Sequence, residues 1–171
     1  MKRKRQYYLL LVCLSFAVFM SDDSFAQSKN LTCADWHSKV DFNKPLVLVS
    51  PENKSQEDIF FAVNCLLQLE GKKEESNVAG ASSGRVSNFF GATSVEVAAL
   101  YYVSYLFYQK WDHADAPFLV NQRNRKLNSD KTVSKAYKAY KKWFERVREI
   151  GLEEARKQKL DPLADSGVEW Y

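Results

Sequence analysis

The sequence predicts an all-α protein: a small domain of four to five helices around a buried central helix, with one disulfide, after a cleaved signal peptide. Three observations give this prediction. The run from Thr93 to Lys110 is apolar or aromatic at almost every position, a later segment repeats apolar residues at helical spacing, and two cysteines remain after the N-terminal segment. A helix that is apolar on all sides is usually buried on all sides, so we expect the first segment to form the centre.

The first 26 residues have the pattern of a secretory signal peptide. Met1–Arg5 is cationic, Tyr7–Met20 is apolar but too short to span a membrane, and Ser24 and Ala26 are small. Cleavage after Ala26 leaves residues 27–171 as a single helical domain, which we expect to be periplasmic or secreted. The chain has 25 basic and 21 acidic residues, and removal of this segment leaves 21 basic and 19 acidic ones.

Cys33 and Cys65 are the two cysteines of the mature segment. An even number of cysteines in an exported chain predicts a disulfide, and this one would restrict the unfolded chain by about 3–4 kcal/mol. A metal site with His37 and His113 is the alternative, but only Cys33 and His37 have close spacing. We therefore expect a disulfide, with no metal and no cofactor.

Two elements are predicted before the central helix. Leu46–Val49 is a short, partly β-branched run, and it fits either one strand or an extended segment packed on helices, because no partner strand is evident. A helix then begins at Ser55, where Ser55 and Asp58 form a capping box. Cys65 lies on this helix, so the disulfide would tie the N-terminal part of the domain to it.

The central helix is predicted to begin at Thr93, which forms a Ser/Thr-x-x-Glu capping box with Glu96. The apolar run from Val95 to Tyr108 is shorter than a membrane span and contains four tyrosines, whose hydroxyl groups need polar partners. Both features favour a core helix over a transmembrane one. We expect no transmembrane span in the mature chain.

Lys72–Gly91 lacks a hydrophobic period and is rich in glycine and serine, so it is predicted to be a loop. A loop of this length is often functional or disordered. Phe89 and Phe90 fit a hydrophobic staple before the central helix, which we favour. In the alternative, the loop inserts into a partner and Arg85 is its anchor, since Arg and aromatic residues dominate binding hot spots.

Asp112, His113 and Asp115 form a cluster with acid–base potential just after the central helix. Catalysis needs groups that converge in space, and an exposed helix end is the favoured interpretation. The sequence has no Gly-x-Ser-x-Gly elbow, no His-Glu-x-x-His motif and no phosphate-binding glycine loop. We therefore expect a protein that is not an enzyme.

The last third of the chain is predicted to contain the second main helix. Phe118–Val120 should return to the core, Asn121–Asp130 should be a polar linker, and the helix should start near Ser129 or Asp130. Its buried stripe follows a regular amphipathic spacing and consists of Val133, Tyr137, Tyr140, Phe144 and Val147. Gly151 interrupts the pattern, a shorter helix runs from Leu152 to Leu160, and the aromatic end of the chain should dock on the domain.

Positive charge is concentrated between Asn121 and Lys159, with thirteen basic and five acidic residues. Four of these lysines fall on one face of the predicted long helix: Lys131, Lys135, Lys138 and Lys142. Such a face could attract an acidic partner, whereas a solvated helix face is the commoner outcome. Nucleic acid is a poor candidate because an exported protein does not meet it. The candidate binding residues are these lysines and Arg85, Phe89 and Phe90.

These features favour an exported, non-enzymatic protein that binds another protein, such as a toxin or an envelope protein. The layout alone resembles the periplasmic immunity proteins that bacteria use against toxins delivered by neighbours, which implies that Ala79–Gly91 would block a toxin's active site. One alternative is an envelope hydrolase that acts on cell-wall material through Asp112, His113 and Asp115. Another is a structural or lipid-associated envelope factor that uses the lysine face.

Overall fold

A buried helix, Val95–Tyr108, lies at the centre of the protein, and the other elements pack around it. The computed structural model describes residues 32–38, 54–76, 93–109 and 118–171. The predicted signal peptide and the Leu46–Val49 segment lie outside these ranges. In chain order the elements are α1 (Cys33–His37), α2 (Gln56–Leu67), β1 (Glu75–Ser76), β2 (Thr93–Ser94), α3 (Val95–Tyr108), β3 (Leu119–Asn121), α4 (Asp130–Ile150), α5 (Leu152–Lys157) and β4 (Val168–Trp170).

The predicted all-α class is wrong, because the described residues also form two small antiparallel sheets. β1 pairs with β2, and β3 pairs with β4, so that Leu119 faces Trp170 and Asn121 faces Val168. Helices account for 57% of the described residues, and the fold is therefore mixed. β2 runs directly into the central helix, whereas β3 and β4 are separated along the chain by α4 and α5.

The central helix begins differently from the prediction. Thr93 lies in β2, and the N-cap is Ser94, whose side chain makes no capping hydrogen bond. The backbone before β1 takes the place of the cap: the amides of Val95 and Glu96 donate to the carbonyls of Glu74 and Lys72 at 2.9 and 3.0 Å. Strand pairing thus satisfies the first amides of α3, which leaves the Glu96 carboxylate available for other contacts.

The predicted burial of this helix is confirmed, since eleven of its fourteen residues are buried. At its C-terminus the guanidinium of Arg156 donates to the carbonyls of Phe107 and Leu106, at 2.7 and 2.9 Å. The last carbonyls of a helix have no partner within it and carry partial negative charge, so a cation there satisfies both needs. Arg156 on α5 therefore caps the central helix.

The disulfide between Cys33 and Cys65 is confirmed, with the two Cα atoms 5.1 Å apart. It joins α1, which has no buried residue, to the fully buried Cys65 of α2. His37 adds a second link, because its Nε2 lies 2.8 Å from the Cys65 carbonyl oxygen. The predicted Ser55–Asp58 capping box at the start of α2 is also present.

The long amphipathic helix is confirmed as α4, with Ser129 as its N-cap. All five residues of the predicted stripe are buried, and Trp143 is buried beside them. Gly151 separates α4 from α5 at a φ of 87°, a conformation that favours glycine. The shorter helix ends at Lys157, before the predicted Leu160.

The residues after Pro117 form a strand and a turn, whereas a polar linker was predicted over Asn121–Asp130. The amides of Arg123 and Asn124 donate to the Asn121 side chain, and the Leu119 amide donates to the Asn128 side chain at 2.8 Å. Phe118, Leu119 and Val120 are buried, as predicted. The segment is therefore a turn that returns the chain from β3 to the start of α4.

The aromatic end of the chain docks on the domain, as predicted. The indole N–H of Trp170 donates to the hydroxyl oxygen of Tyr140 at 3.0 Å, and its ring meets Tyr101 edge-on with centroids 5.6 Å apart. The Tyr140 hydroxyl also shares a hydrogen bond with Ser104 on α3. Trp170 thus joins β4 to both long helices.

Over the described ranges, none of the helices combines the length and the apolar character that a membrane crossing needs.

Candidate functional site

Four lysines of α4 point away from the core and are exposed: Lys131, Lys135, Lys138 and Lys142, which we call the lysine face. At about 100° per residue, they occupy an arc of about 60° around the helix, opposite the buried stripe. The four lysines therefore share one exposed side of α4. The capacity of this side to bind a partner depends on its charge and its shape.

The lysine face lacks the charge compensation that neighbouring cations have. Lys141, one position from Lys142, lies 2.6 Å from a carboxylate oxygen of Glu70, and Arg146 lies 3.0 Å from one of Glu149. Among the described residues, none of the four lysines forms an ion pair or a side-chain hydrogen bond. No ion pair among the described residues therefore offsets the positive charge of these four side chains, which solvent and salt screen.

A groove of about 460 Å³ runs beside the lysine face, between α4 and the segment from Leu160 to Ser166. We call it the basic groove. One wall is α4, with Lys135, Lys138 and Lys142 at its edge. The remaining lining residues are Ala139, Trp143, Arg146, Leu160, Asp161, Pro162, Ala164, Asp165 and Ser166.

The floor of the basic groove is aromatic and aliphatic. The Trp143 side chain is almost completely buried, and its indole N–H donates to the Leu160 carbonyl at 3.2 Å. Trp143 also meets Phe107 of the central helix edge-on, with ring centroids 4.8 Å apart. The floor is therefore anchored to the core, and it offers an apolar surface below a charged edge.

Hydrogen bonds within the segment hold the second wall of the groove. The Leu163 amide donates to Asp161 Oδ1 at 2.8 Å, and the Ser166 hydroxyl donates to the Leu163 carbonyl at 2.7 Å. Asp161 and Asp165 are exposed on this wall, and Asp165 has a left-handed φ of 58°. The groove thus has cations on one side and two carboxylates on the other.

Contacts to the central helix fix the orientation of α4, and so of the lysine face. The Tyr137 hydroxyl donates to the Glu96 carbonyl at 2.9 Å, and Tyr140 bonds to Ser104 and Trp170. Burial raises the pKa of both tyrosines far above the usual value, so both stay neutral donors across the physiological range.

The other predicted site residues lie outside the described part of the chain. These are Arg85, Phe89 and Phe90, the surrounding Ala79–Gly91 loop, and the Asp112, His113 and Asp115 cluster.

Two further clefts line the described surface, and both contain side chains with structural roles. In the cleft of about 560 Å³, Gln56 accepts from the Leu152 amide, and Arg156 caps the central helix. The cleft of about 520 Å³ is lined by the Lys141–Glu70 pair. Across the described ranges there is no cluster of three His, Cys, Asp or Glu side chains suited to a metal ion.

The basic groove was not predicted, although its α4 wall was. From the sequence, a short helix was expected to end at Leu160, and nothing identified Trp143 as the floor of a groove. The predicted docking of the aromatic end of the chain was a signal for the groove, because residues 160–167 must then return along α4. The sequence did not indicate which side of the helix they would follow.

Comparisons with known proteins found no match of any kind: no protein family, no curated protein and no solved structure matches this chain.

Proposed function

We propose that this chain is an exported, non-enzymatic protein that binds another protein, and that the lysine face of α4 is its contact surface. In the finer form of the proposal, the chain is an immunity-type inhibitor of a secreted toxin. The observation that carries the proposal is the outward row of four lysines without ion-pair partners among the described residues.

Repulsion among the four lysines destabilises the free protein, and an acidic partner would relieve that repulsion. Cations at neighbouring turns of one helix face repel one another, by a few tenths of a kcal/mol for each i, i+4 pair. Lys131–Lys135 and Lys138–Lys142 both have this spacing. An acidic surface would replace repulsion with attraction and would speed the encounter, since complementary charge raises association rates.

The disulfide supports export. Disulfides persist in oxidising compartments and are rare in the cytosol, and the cationic and apolar pattern of residues 1–26 is typical of a signal peptide. Export can be tested by mass spectrometry of the protein recovered from a periplasmic extract. The proposal predicts a mature chain that begins at Gln27, and recovery of the full-length chain from the cytosol would contradict it.

Binding can be tested with a purified bait and two matched variants. The first reverses three charges of the lysine face, in Lys135→Glu, Lys138→Glu and Lys142→Glu. The second makes the same net change elsewhere, at Lys72, Arg123 and Lys126, which are also exposed. Each bait is incubated with envelope and secreted proteins from cells that carry the gene, and retained proteins are identified by mass spectrometry.

The proposal predicts one retained protein that the wild type and the control variant capture and that the face variant does not. The inhibitor form predicts in addition that this protein is toxic when expressed alone and harmless when the wild type is co-expressed. Equal capture by both variants would contradict the assignment of the face. Binding of the wild type to phosphatidylglycerol vesicles, lost in the face variant, would favour the lipid-associated alternative instead.

A further inference from the structure

We propose that the basic groove is a specificity pocket, which receives an apolar side chain from an acidic segment of the partner protein. This inference deepens the proposed function and rests on it. The lysine face alone would bind acidic surfaces in general. The groove would select, among them, a segment in which carboxylates flank an aromatic or large aliphatic residue.

The basic groove combines an apolar floor with a charged edge. Trp143, Leu160 and Pro162 give the groove an apolar base, whereas Lys135 and Lys142 stand at its α4 edge. Small side chains, Ala139 on α4 and Ala164 opposite, line the walls between them. Binding hot spots are typically such pockets, in which an apolar anchor is surrounded by polar groups.

The two walls of the basic groove carry opposite charges. The α4 edge carries three lysines and Arg146, and the opposite wall carries Asp161 and Asp165. Carboxylates of a bound segment are attracted to α4 and repelled by the opposite wall. The segment should therefore lie with its acidic side chains over α4 and its anchor in the groove, and this asymmetry fixes one orientation.

The basic groove is preorganised by hydrogen bonds. Hydrogen bonds within the Asp161–Ser166 wall, and the bond from Trp143 to the Leu160 carbonyl, hold both the wall and the floor. Ser166 also accepts from the Val168 amide at 3.0 Å, which connects the wall to β4. A preorganised groove loses less conformational entropy on binding than a flexible one.

The test uses short synthetic peptides with blocked ends as probes. The peptide GDEFEDG has an aromatic anchor between carboxylates, GDESEDG lacks the anchor, and GKKFKKG has inverted charge. Binding is followed by NMR at low salt, through the indole N–H of Trp143 and the methyl groups of Ala139 and Ala164, at peptide concentrations up to about 1 mM, so that weak binding is detected.

We expect GDEFEDG to shift these three signals in a saturable way, with an affinity at least tenfold above that of GDESEDG. The inverted peptide should produce no shift. Ala139→Phe, which fills the groove without changing charge, should abolish the preference for the anchor. Ser134→Phe, an exposed site on α4 outside the groove lining, is the matched control and should leave it intact. Thermal unfolding of each variant establishes that it is folded.

Two results would overturn the inference. One is equal affinity for the peptides with and without the anchor, and the other is an undiminished preference in Ala139→Phe. In either case partner capture that depends on the lysine face would leave the proposed function standing. If capture is insensitive to the face variant, the proposed function fails, whatever the peptides show.

Discussion

The ammonium group of Lys73 lies 3.0 Å from Oε1 of Glu96, and this contact joins the start of the central helix to the segment before β1. The Glu96 side chain is 4% exposed, whereas that of Lys73 is 55% exposed. The second carboxylate oxygen accepts from the Gly71 amide at 2.9 Å, and Lys73 also pairs with Asp130, the first residue of α4. One cation therefore contacts both the central helix and the first residue of the helix that carries the lysine face.

This arrangement predicts coupled effects on stability. Lys73→Met should lower the free energy of unfolding by about 1–3 kcal/mol, because it leaves a buried carboxylate without its cation. Adding Glu96→Gln should recover part of the loss, since the amide oxygen can still accept from Gly71 and carries no charge. Urea unfolding of both single variants and the double variant measures the coupling, and strictly additive losses would contradict it.

The C-terminal strand should be essential for stability. Trp170→Ala removes the hydrogen bond to Tyr140, the edge contact with Tyr101 and a half-buried ring, so we expect a loss of about 2–4 kcal/mol. Glu169→Ala on the same strand removes only exposed contacts, an ion pair with Arg125 and a hydrogen bond of 3.4 Å from Gln122, and should cost less than about 1 kcal/mol. Chemical denaturation compares the two, and similar losses would argue against the docking described.

Removal of the disulfide should destabilise the protein without changing the core. The cysteines are 32 residues apart, and a closed loop of that size contributes about 3.5–4 kcal/mol in the chain-entropy model. The variant Cys33→Ala, Cys65→Ala and the reduced wild type should lose similar amounts in urea unfolding. Because α1 has no buried residue, it should also become sensitive to proteolysis. A loss below about 1 kcal/mol would contradict the structural role of the bond.

Alkaline pH should unfold the protein through its buried tyrosines. Burial raises the pKa of Tyr102, Tyr137 and Tyr140, and raises that of Tyr108 to about 12, from the usual value near 10. The folded state therefore keeps these protons where the unfolded chain releases them, so stability is complete below about pH 10 and falls above it.

Each such group should remove about 1.4 kcal/mol of unfolding free energy per pH unit above pH 10. Lys73, whose pKa is raised mainly by its hydrogen bond to Asp130, acts in the same direction. Tyr137→Phe removes one of these titrating groups, so the unfolding free energy should fall less steeply with pH, by about 1.4 kcal/mol per pH unit. The variant should also be less stable at pH 7, because it loses the hydrogen bond to the Glu96 carbonyl. Urea titrations between about pH 8 and 11 measure the slope, and an unchanged slope in Tyr137→Phe would contradict this assignment.

Features encoded over short distances could be predicted from the sequence. The stripe of α4 repeats every three or four residues, the Ser55 box spans four, and the paired cysteines follow from their number and the predicted export. Each signal is local, or depends on composition alone. The burial of the central helix likewise follows from its apolar residues.

The strands could not be predicted in this way. β1 and β2 have two residues each, too few to show an alternating pattern, and β3 pairs with a strand 47 or more residues later in the chain. The pairing of β2 also explains the wrong cap: backbone carbonyls of the Lys72–Glu74 segment accept from the first amides of α3, so Thr93 is not needed there. The basic groove depends on the same long-range closure, because β4 brings the Leu160–Ser166 segment against α4.

The association rate constant of the chain with its captured partner, measured by stopped flow at low and high salt, tests the central claim most directly. If the lysine face is the contact surface, charge reversal at Lys135, Lys138 and Lys142 should slow association at least tenfold at low salt, and salt should slow the wild type toward the same rate. The control variant at Lys72, Arg123 and Lys126 should associate within about twofold of the wild type. Equal rates for the two variants, or a wild-type rate that does not respond to salt, would contradict the account.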